Sequence, residues 1–327
     1  MKNNLIMAIC AVYVISTMVV ACGGELTPVN EESNERVTLS VYVPDQQTKL
    51  TTVPDEVKIS NYQVFVYNSS DVLEAYANRN SSEITMECTV GPMKIVVIVN
   101  APAISAGVTY EELVACRSLL SDNSPGRFVM VGIVSETLTS TSSSVTVPVS
   151  RLVSKVRLAH LETAFEMPQY RSMPFKISSV YLINVPADCG YLSSGPVSEW
   201  YNKSGYDSGD ENGLIYDDMN DIPVSPASPY GKVNTFYCYS NPYVQDSFQS
   251  SWSARRTRLV VEAQLGTDRY CYPVTLPVLE ANKIYDVSLT VTRPGADNPD
   301  NEVDKYSVGF KITVCDWVAG ESVNAEI

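Results

Sequence analysis

The most specific chemistry in this sequence belongs to Cys22. In "MKNNLIMAICAVYVISTMVVACGGE" a basic Lys2 precedes an apolar run from Leu5 to Val20, and Val19-Val20-Ala21 leads directly into Cys22. The run is too short and wrongly flanked for a membrane span. A branched apolar residue, a small residue and then Cys form a bacterial lipoprotein signal: the signal peptidase needs small side chains before its cut, and the thiol takes the lipid. Residues 1–22 are therefore expected to be a signal peptide with lipidated Cys22, which anchors a precursor to a membrane. Other reactive side chains carry less. The single histidine, His160, lies between Ala159 and Leu161 in a strand-like segment. Without a GxSxG elbow it cannot complete a Ser-His-Asp triad. Neither GxGxxG nor a Walker loop occurs.

Three further clusters invite a ligand and are better explained without one. In "YDSGDENGLIYDDMND", Asp210, Asn212 and Gly213 echo part of a calcium loop, but the spaced carboxylates and closing Glu are missing, so it reads as a solvated acidic loop. Trp200, Tyr201 and Tyr206 could stack on a sugar, yet aromatics beside Gly and Ser in a long loop more often pack that loop down. Arg255, Arg256 and Arg258 read as the charged start of a strand, not a phosphate site. Of eight cysteines, Cys10 falls in the signal and Cys22 takes lipid. Cys88, Cys116, Cys189, Cys238, Cys271 and Cys315 remain, widely spaced and without CxxC, so zinc is not expected. Their disulfide pairing stays open, with 15 possible connectivities, and Cys238 and Cys271 sit in apolar runs that suit buried thiols. The net charge of −14 over 327 residues offers no basic stripe for nucleic acid. No catalytic residue, cofactor or metal is expected.

The elements that carry these residues are mostly strands. Short apolar runs recur between Gly, Pro, Ser and Asn clusters, and the length suits two domains. Residues 23–35 read as an acidic tether. "RVTLSVYV" alternates Val37, Leu39, Val41 and Val43, and a loop follows, bracketed by Pro44 and Pro54 with Lys49 as its one basic residue. Strands are expected at "ISNYQVFVYN", "EITMECTV", "KIVVIVNAP", "RFVMVGIV" and "SSVTVPVS". One helix, "VTYEELVACRSLL", opens with Thr109 and Glu112 as a capping box. A boundary near Ser150 separates a second set of strands, interrupted by a long loop at roughly residues 189–232. At the C-terminal end Val308, Phe310, Ile312 and Val314 alternate onto one face, after the turn-rich "RPGADNPDNEVDK".

Several of these segments, in this order, resemble the Bacteroidales fimbrillins, the type V pilins. The family's "Y-D-[IV]-x-L-T-[IV]-T" strand maps onto Tyr285 to Thr292, its Pro-Gly and Asn-Pro turn onto Pro294 to Pro299, and its closing "V-x-x-W" onto Val314 to Trp317. The lipobox, the first strand, the Val64-to-Asn68 strand, "KIVVIVNAP" and the "SRLVSKVRL" junction match as well. The resemblance implies two transthyretin-like β-sandwich domains, 50–150 with one short helix and 151–327. It also implies a fimbrial subunit exported as a lipoprotein, assembled with copies of itself and other fimbrial subunits, and supporting adhesion. In that family a trypsin-like protease cuts in the loop after the first strand. A groove opens, and the C-terminal strand of the next subunit fills it.

Carried onto this chain, the cut falls between Lys49 and Leu50, residues 23–49 are a propeptide that includes the first strand, and residues 304–327 hold the donor strand. The family's best-known members are cut after Arg, so Lys49 is a departure. Arg36 precedes the first strand, and a cut there would open no groove. Removing "RVTLSVYV" would expose an apolar trough that an alternating strand can refill by β-augmentation. Val308, Phe310, Ile312, Val314 and Trp317 could contribute about 10 kcal/mol to that exchange before entropy costs. The same segment can rest in its own domain until assembly. The rival is a glycan- or protein-binding surface lipoprotein held by Cys22; an anchor or tip subunit is a third option, though Lys49 together with a full C-terminal strand favours the stalk.

Overall fold

The computed structural model describes residues 35–44, 54–141, 143–193, 195–207, 213–247, 252–301, 303, 308–317 and 325–326. Cys22, Lys49, Leu50, Asp210 and Asn212 lie outside the described residues. The first half contains β1 (Arg36–Tyr42), β2 (Tyr62–Asn68), β3 (Leu73–Arg79), β4 (Glu83–Thr89), β5 (Gly91–Val99), α1 (Tyr110–Ala115), β6 (Arg117–Leu119), β7 (Met130–Leu138), β8 (Ser143–Thr146) and β9 (Ser150–Arg151). They form a three-stranded sheet in the order β4-β1-β8 and a five-stranded sheet in the order β3-β2-β5-β7-β9. Strict alternation in β1 and β4 sends Val37, Leu39, Val41, Ile84, Met86 and Cys88 into one core. β2 is buried on both faces, because Val64 and Val66 join that core while Phe65 and Tyr67 pack with Leu113 of α1.

The second half contains β10 (Val153–Thr163), α2 (Pro168–Arg171), β11 (Phe175–Ile183), β12 (Val185–Pro186), β13 (Asp188–Gly190), β14 (Trp200–Tyr201), β15 (Tyr216–Val224), β16 (Asn234–Tyr239), β17 (Arg258–Leu265), β18 (Asp268–Thr275), β19 (Lys283–Val291), β20 (Val308–Asp316) and β21 (Ala325–Glu326). Its two large sheets run β16-β10-β19-β20-β21 and β15-β11-β17-β18. The chain is thus mostly β in paired sheets, as expected. The sheets change between β9 and β10, at residues 150–153, yet Asn34–Ile327 is one compact unit. Short β6 and β13 pair across the halves, Leu119 opposite Asp188 and Arg117 opposite Gly190.

Among the elements that differ from expectation are the helix and the acidic stretch. The helix carries the Thr109–Glu112 capping box, with Glu112 N–H donating to Thr109 Oγ1 at 3.2 Å, but it stops at Ala115. Cys116 is extended, and "RSL" becomes β6. The acidic stretch predicted as loop contains β15, which pairs with β11 on the edge of its sheet. Asn220 and Asp221 adopt positive φ beside a register shift, and Pro223 occupies a position where only an edge strand tolerates it. Charge, Pro and a bulge on an edge strand discourage pairing with other chains. Their polarity hid the strand.

Candidate functional site

β1 lies between β4 and β8 and pairs with both. All seven residues run antiparallel to β4, from Arg36 opposite Thr89 to Tyr42 opposite Glu83. Leu39 to Tyr42 run parallel to Ser143 to Thr146. Flanking bonds extend the ladder, with Val43 N–H donating to Ser82 O and Val147 N–H to Tyr42 O, both at 2.9 Å. Two inter-strand spacings put β4 and β8 about 10 Å apart across it, so the space it fills is one strand wide. A strand taking that place in the direction of β1 would run antiparallel to β4 and parallel to β8, and one of reversed direction would exchange the two pairings. Val37, Leu39, Val41 and Val43 are all buried, and Ile84, Met86, Cys88, Val145 and Val147 line the walls. Cys88, opposite Val37, is fully buried, and burial foremost, with the nearby Glu74 and Glu87 carboxylates, pushes its thiol up to about 11. Arg36, which lowers it, only partly offsets this.

β20 occupies a different setting. It pairs antiparallel with β19 along its full length, from Val291 opposite Val308 to Lys283 opposite Asp316, and Thr313 and Val314 pair with the two residues of β21. Its home is therefore its own sheet. Val308 and Ile312 are buried, Val314 is half-buried against the same core, and Trp317 is 2% exposed. Phe310 keeps the predicted face, opposite buried Leu289, but is 54% exposed. The pleat aims it toward the core side at a rim that no described side chain covers well. The turn before β20 is fixed at Asp300, which accepts from Asn184 Nδ2 at 3.0 Å and pairs with Arg255 and Arg258. Arg256 and Arg258 also hold Asp246. The arginine cluster at the start of β17 thus staples loops together.

Trp317 ends in a buried polar knot. Its indole N–H donates to Glu56 Oε2 at 3.1 Å, and its backbone N–H to Asn282 O at 2.9 Å. The ring lies 5.6 Å from Tyr237, stacked, and 5.5 Å from Phe128, edge-on. The Arg151 guanidinium and Lys155 Nζ sit 4.6 and 4.4 Å from its centroid. Glu56, only 3% exposed, also accepts from Lys155 Nζ at 2.5 Å and from Tyr237 OH at 2.6 Å, while its backbone carbonyl accepts from Arg151. Burial pushes the Lys155 ammonium below its ordinary value, and the bond to Glu56 opposes that shift. No sequence signal marked Glu56; Lys155 was visible only as a charge inside the apolar "LVSKVRL".

The remaining candidates do not converge. His160 is partly exposed on β10, 3.8 Å from Glu162. Trp200 packs on Trp252 and Tyr243, with centroids 5.1 and 5.6 Å apart, and Tyr206 stacks on Tyr216 at 4.2 Å, so these rings pin the long loop. Tyr201 pairs with Val185. Among the described residues no group of His, Cys, Asp and Glu could hold a metal, and all six described cysteines are free thiols.

Residues 36–156 match the family described as major fimbrial subunit protein (FimA). The fimbrilin FimA of Porphyromonas gingivalis W83 superposes with a TM-score of 0.62 at 18% identity, covering 87% of this chain and 98% of that one. The resemblance to the fimbrillins is borne out. A proposed cell adhesion protein of Bacteroides eggerthii gives a TM-score of 0.64 at 18% identity, over 87% and 97% of the two chains. The Porphyromonas gingivalis tip fimbrial protein Mfa3 with C-terminal truncation gives 0.56 at 11%, over 86% and 100%. At these identities the superpositions speak for a shared fold. No curated protein matches the sequence. The matched fimbrillin segment runs from β1 to the start of β10 and so contains the whole β4-β1-β8 sheet.

Proposed function

We propose that this protein is the structural subunit of a cell-surface fimbria that polymerises by exchanging strands. The precursor travels to the outer membrane as a lipoprotein on Cys22. A trypsin-like protease cuts between Lys49 and Leu50, β1 departs with the propeptide, and the β20 segment of a neighbouring copy enters the vacated place. Other fimbrial subunits join the same polymer, which serves adhesion. The observation that carries this reading is the position of β1. It is the middle strand of a three-stranded sheet whose flanking strands meet only through it, so its loss leaves a slot with two unpaired edges and an apolar floor. Such a slot is a strong template for a strand. β20, by contrast, has β19 on one side and, among the described residues, only the two-residue β21 on the other.

The test is Lys49→Ala. The variant should fold as the wild type does yet form no ladder on a gel run without boiling after protease treatment. Ladders of wild-type length from that variant would place the activating cut elsewhere.

A further inference from the structure

The second half of β20 is poorly buried. Thr313, Val314 and Cys315 are half-buried, Asp316 is exposed, and its ion pair with Lys283 is a surface one that holds little. Beyond Ile312, Trp317 is the one buried anchor among the described residues. What receives Trp317 does not come from its own sheet alone. Glu56 belongs to the turn Pro54–Val57, which follows the loop expected to be cut. Counting from Leu50, Glu56 is the seventh residue of the chain that cleavage would leave.

Resting on the strand-exchange reading above, we infer that Glu56, charge-paired with Lys155, is a latch that holds Trp317 and the end of β20 in the home sheet, and that cutting after Lys49 loosens it. Before the cut, the turn bearing Glu56 is tethered on both sides, by β1 and by β2. Afterwards the chain holds it from the β2 side alone, and its place rests on the Arg151 bonds to the Glu56 carbonyl and the carboxylate's bonds to Lys155, Tyr237 and Trp317. A carboxylate that shifts outward no longer meets the indole N–H, and a buried donor without an acceptor is costly. Lys155 would then lie buried without its counter-charge, which favours admitting water and releasing the aromatic ring that covers it. The cut that opens the acceptor slot thereby frees the donor strand, while the uncut precursor keeps both closed.

The test is deuterium exchange of the peptide Phe310–Trp317 in the full chain, intact or cut after Lys49, for the wild type, Trp317→Phe and Glu56→Gln. Trp317→Phe keeps a ring and removes the N–H, so it tests the latch even if Glu56→Gln folds poorly. Intact wild type should protect this peptide. Both variants should exchange it at least tenfold faster without changing Arg258–Leu265 or Gly91–Val99. Cutting the wild type should produce a similar rise, and cutting Glu56→Gln should add little. Wild-type protection in Trp317→Phe, no rise on cutting, or equal loss in all strands would overturn the latch. Polymer formation is scored separately. Loosened β20 without polymer counts against strand exchange and leaves the latch standing, whereas normal polymer with unchanged protection counts against the latch alone.

Discussion

Cys88 offers a built-in reporter of the slot. Its side chain is fully buried against β1, opposite Val37, and its thiol is pushed up to about 11 chiefly by that burial. An unhindered cysteine titrates near 8.5. At pH 8 the thiolate, which is the reacting form, is therefore about 0.1% populated in the intact protein and roughly a quarter populated once water reaches it. Chemistry alone gives a ratio of roughly 200-fold, and steric exclusion by β1 enlarges it. The perturbation is proteolysis after Lys49 followed by removal of the released strand. The assay is iodoacetamide alkylation at pH 8, with the Cys88 peptide quantified by mass spectrometry against Cys238, which is fully buried away from the slot. Cys88 labelling should rise at least 100-fold on cleavage, Cys238 should stay constant, and polymerisation should protect Cys88 again. If Cys88 remains inert after β1 is gone, no slot opens. If it remains reactive inside the polymer, the slot is not what the neighbour fills.

Other consequences follow from the same geometry. Leu39→Ala, in the middle of β1, should cost the uncut precursor about 2–5 kcal/mol in urea unfolding and leave the finished polymer unaffected; an equal loss in the polymer means that β1 is retained. Ile312→Asp puts a charge where Val287 and the core surround it, so it should lower the melting temperature of the monomer and abolish polymer, while Lys311→Asp on the other face should do neither. Asp188 is pulled toward higher pKa by burial, but hydrogen bonds from Arg117, Ser198 and the Glu199 backbone bring its carboxyl below the ordinary range. It therefore stabilises the fold above its unfolded value of about 3.9 and loses that contribution as pH falls through the folded value. Thermal melts should show Asp188→Asn less stable than wild type at pH 7, with the gap narrowing as pH falls below the unfolded value of about 3.9; a constant gap would mean that the charge is not what stabilises.

Much of the scaffold was legible because strand period is printed in side-chain type. Val37-Leu39-Val41-Val43 and the run from Val308 to Val314 declared their faces, and the Thr109–Glu112 box declared a helix start. β3 was missed because "LEAYANR" uses Ala, Asn and Arg, which carry little strand signal, and its burial does not alternate. β15 was missed because its carboxylates serve as edge protection. The face of the strand was readable, but coverage was not: nothing local distinguishes exposed Phe310 from buried Ile312, since that depends on which facing side chains reach the rim. The Glu56–Trp317 contact joins residues 261 apart in sequence, and such a pair has no local signature at all.

The central claim is that β1 is a placeholder that the assembled subunit lacks. The most direct measurement is the N-terminal sequence and intact mass of the subunit recovered from surface polymers. Strand exchange predicts a chain that begins at Leu50 and ends with the β20 segment intact. A polymerised subunit that still carries lipidated Cys22, or still contains Arg36–Tyr42, would contradict it.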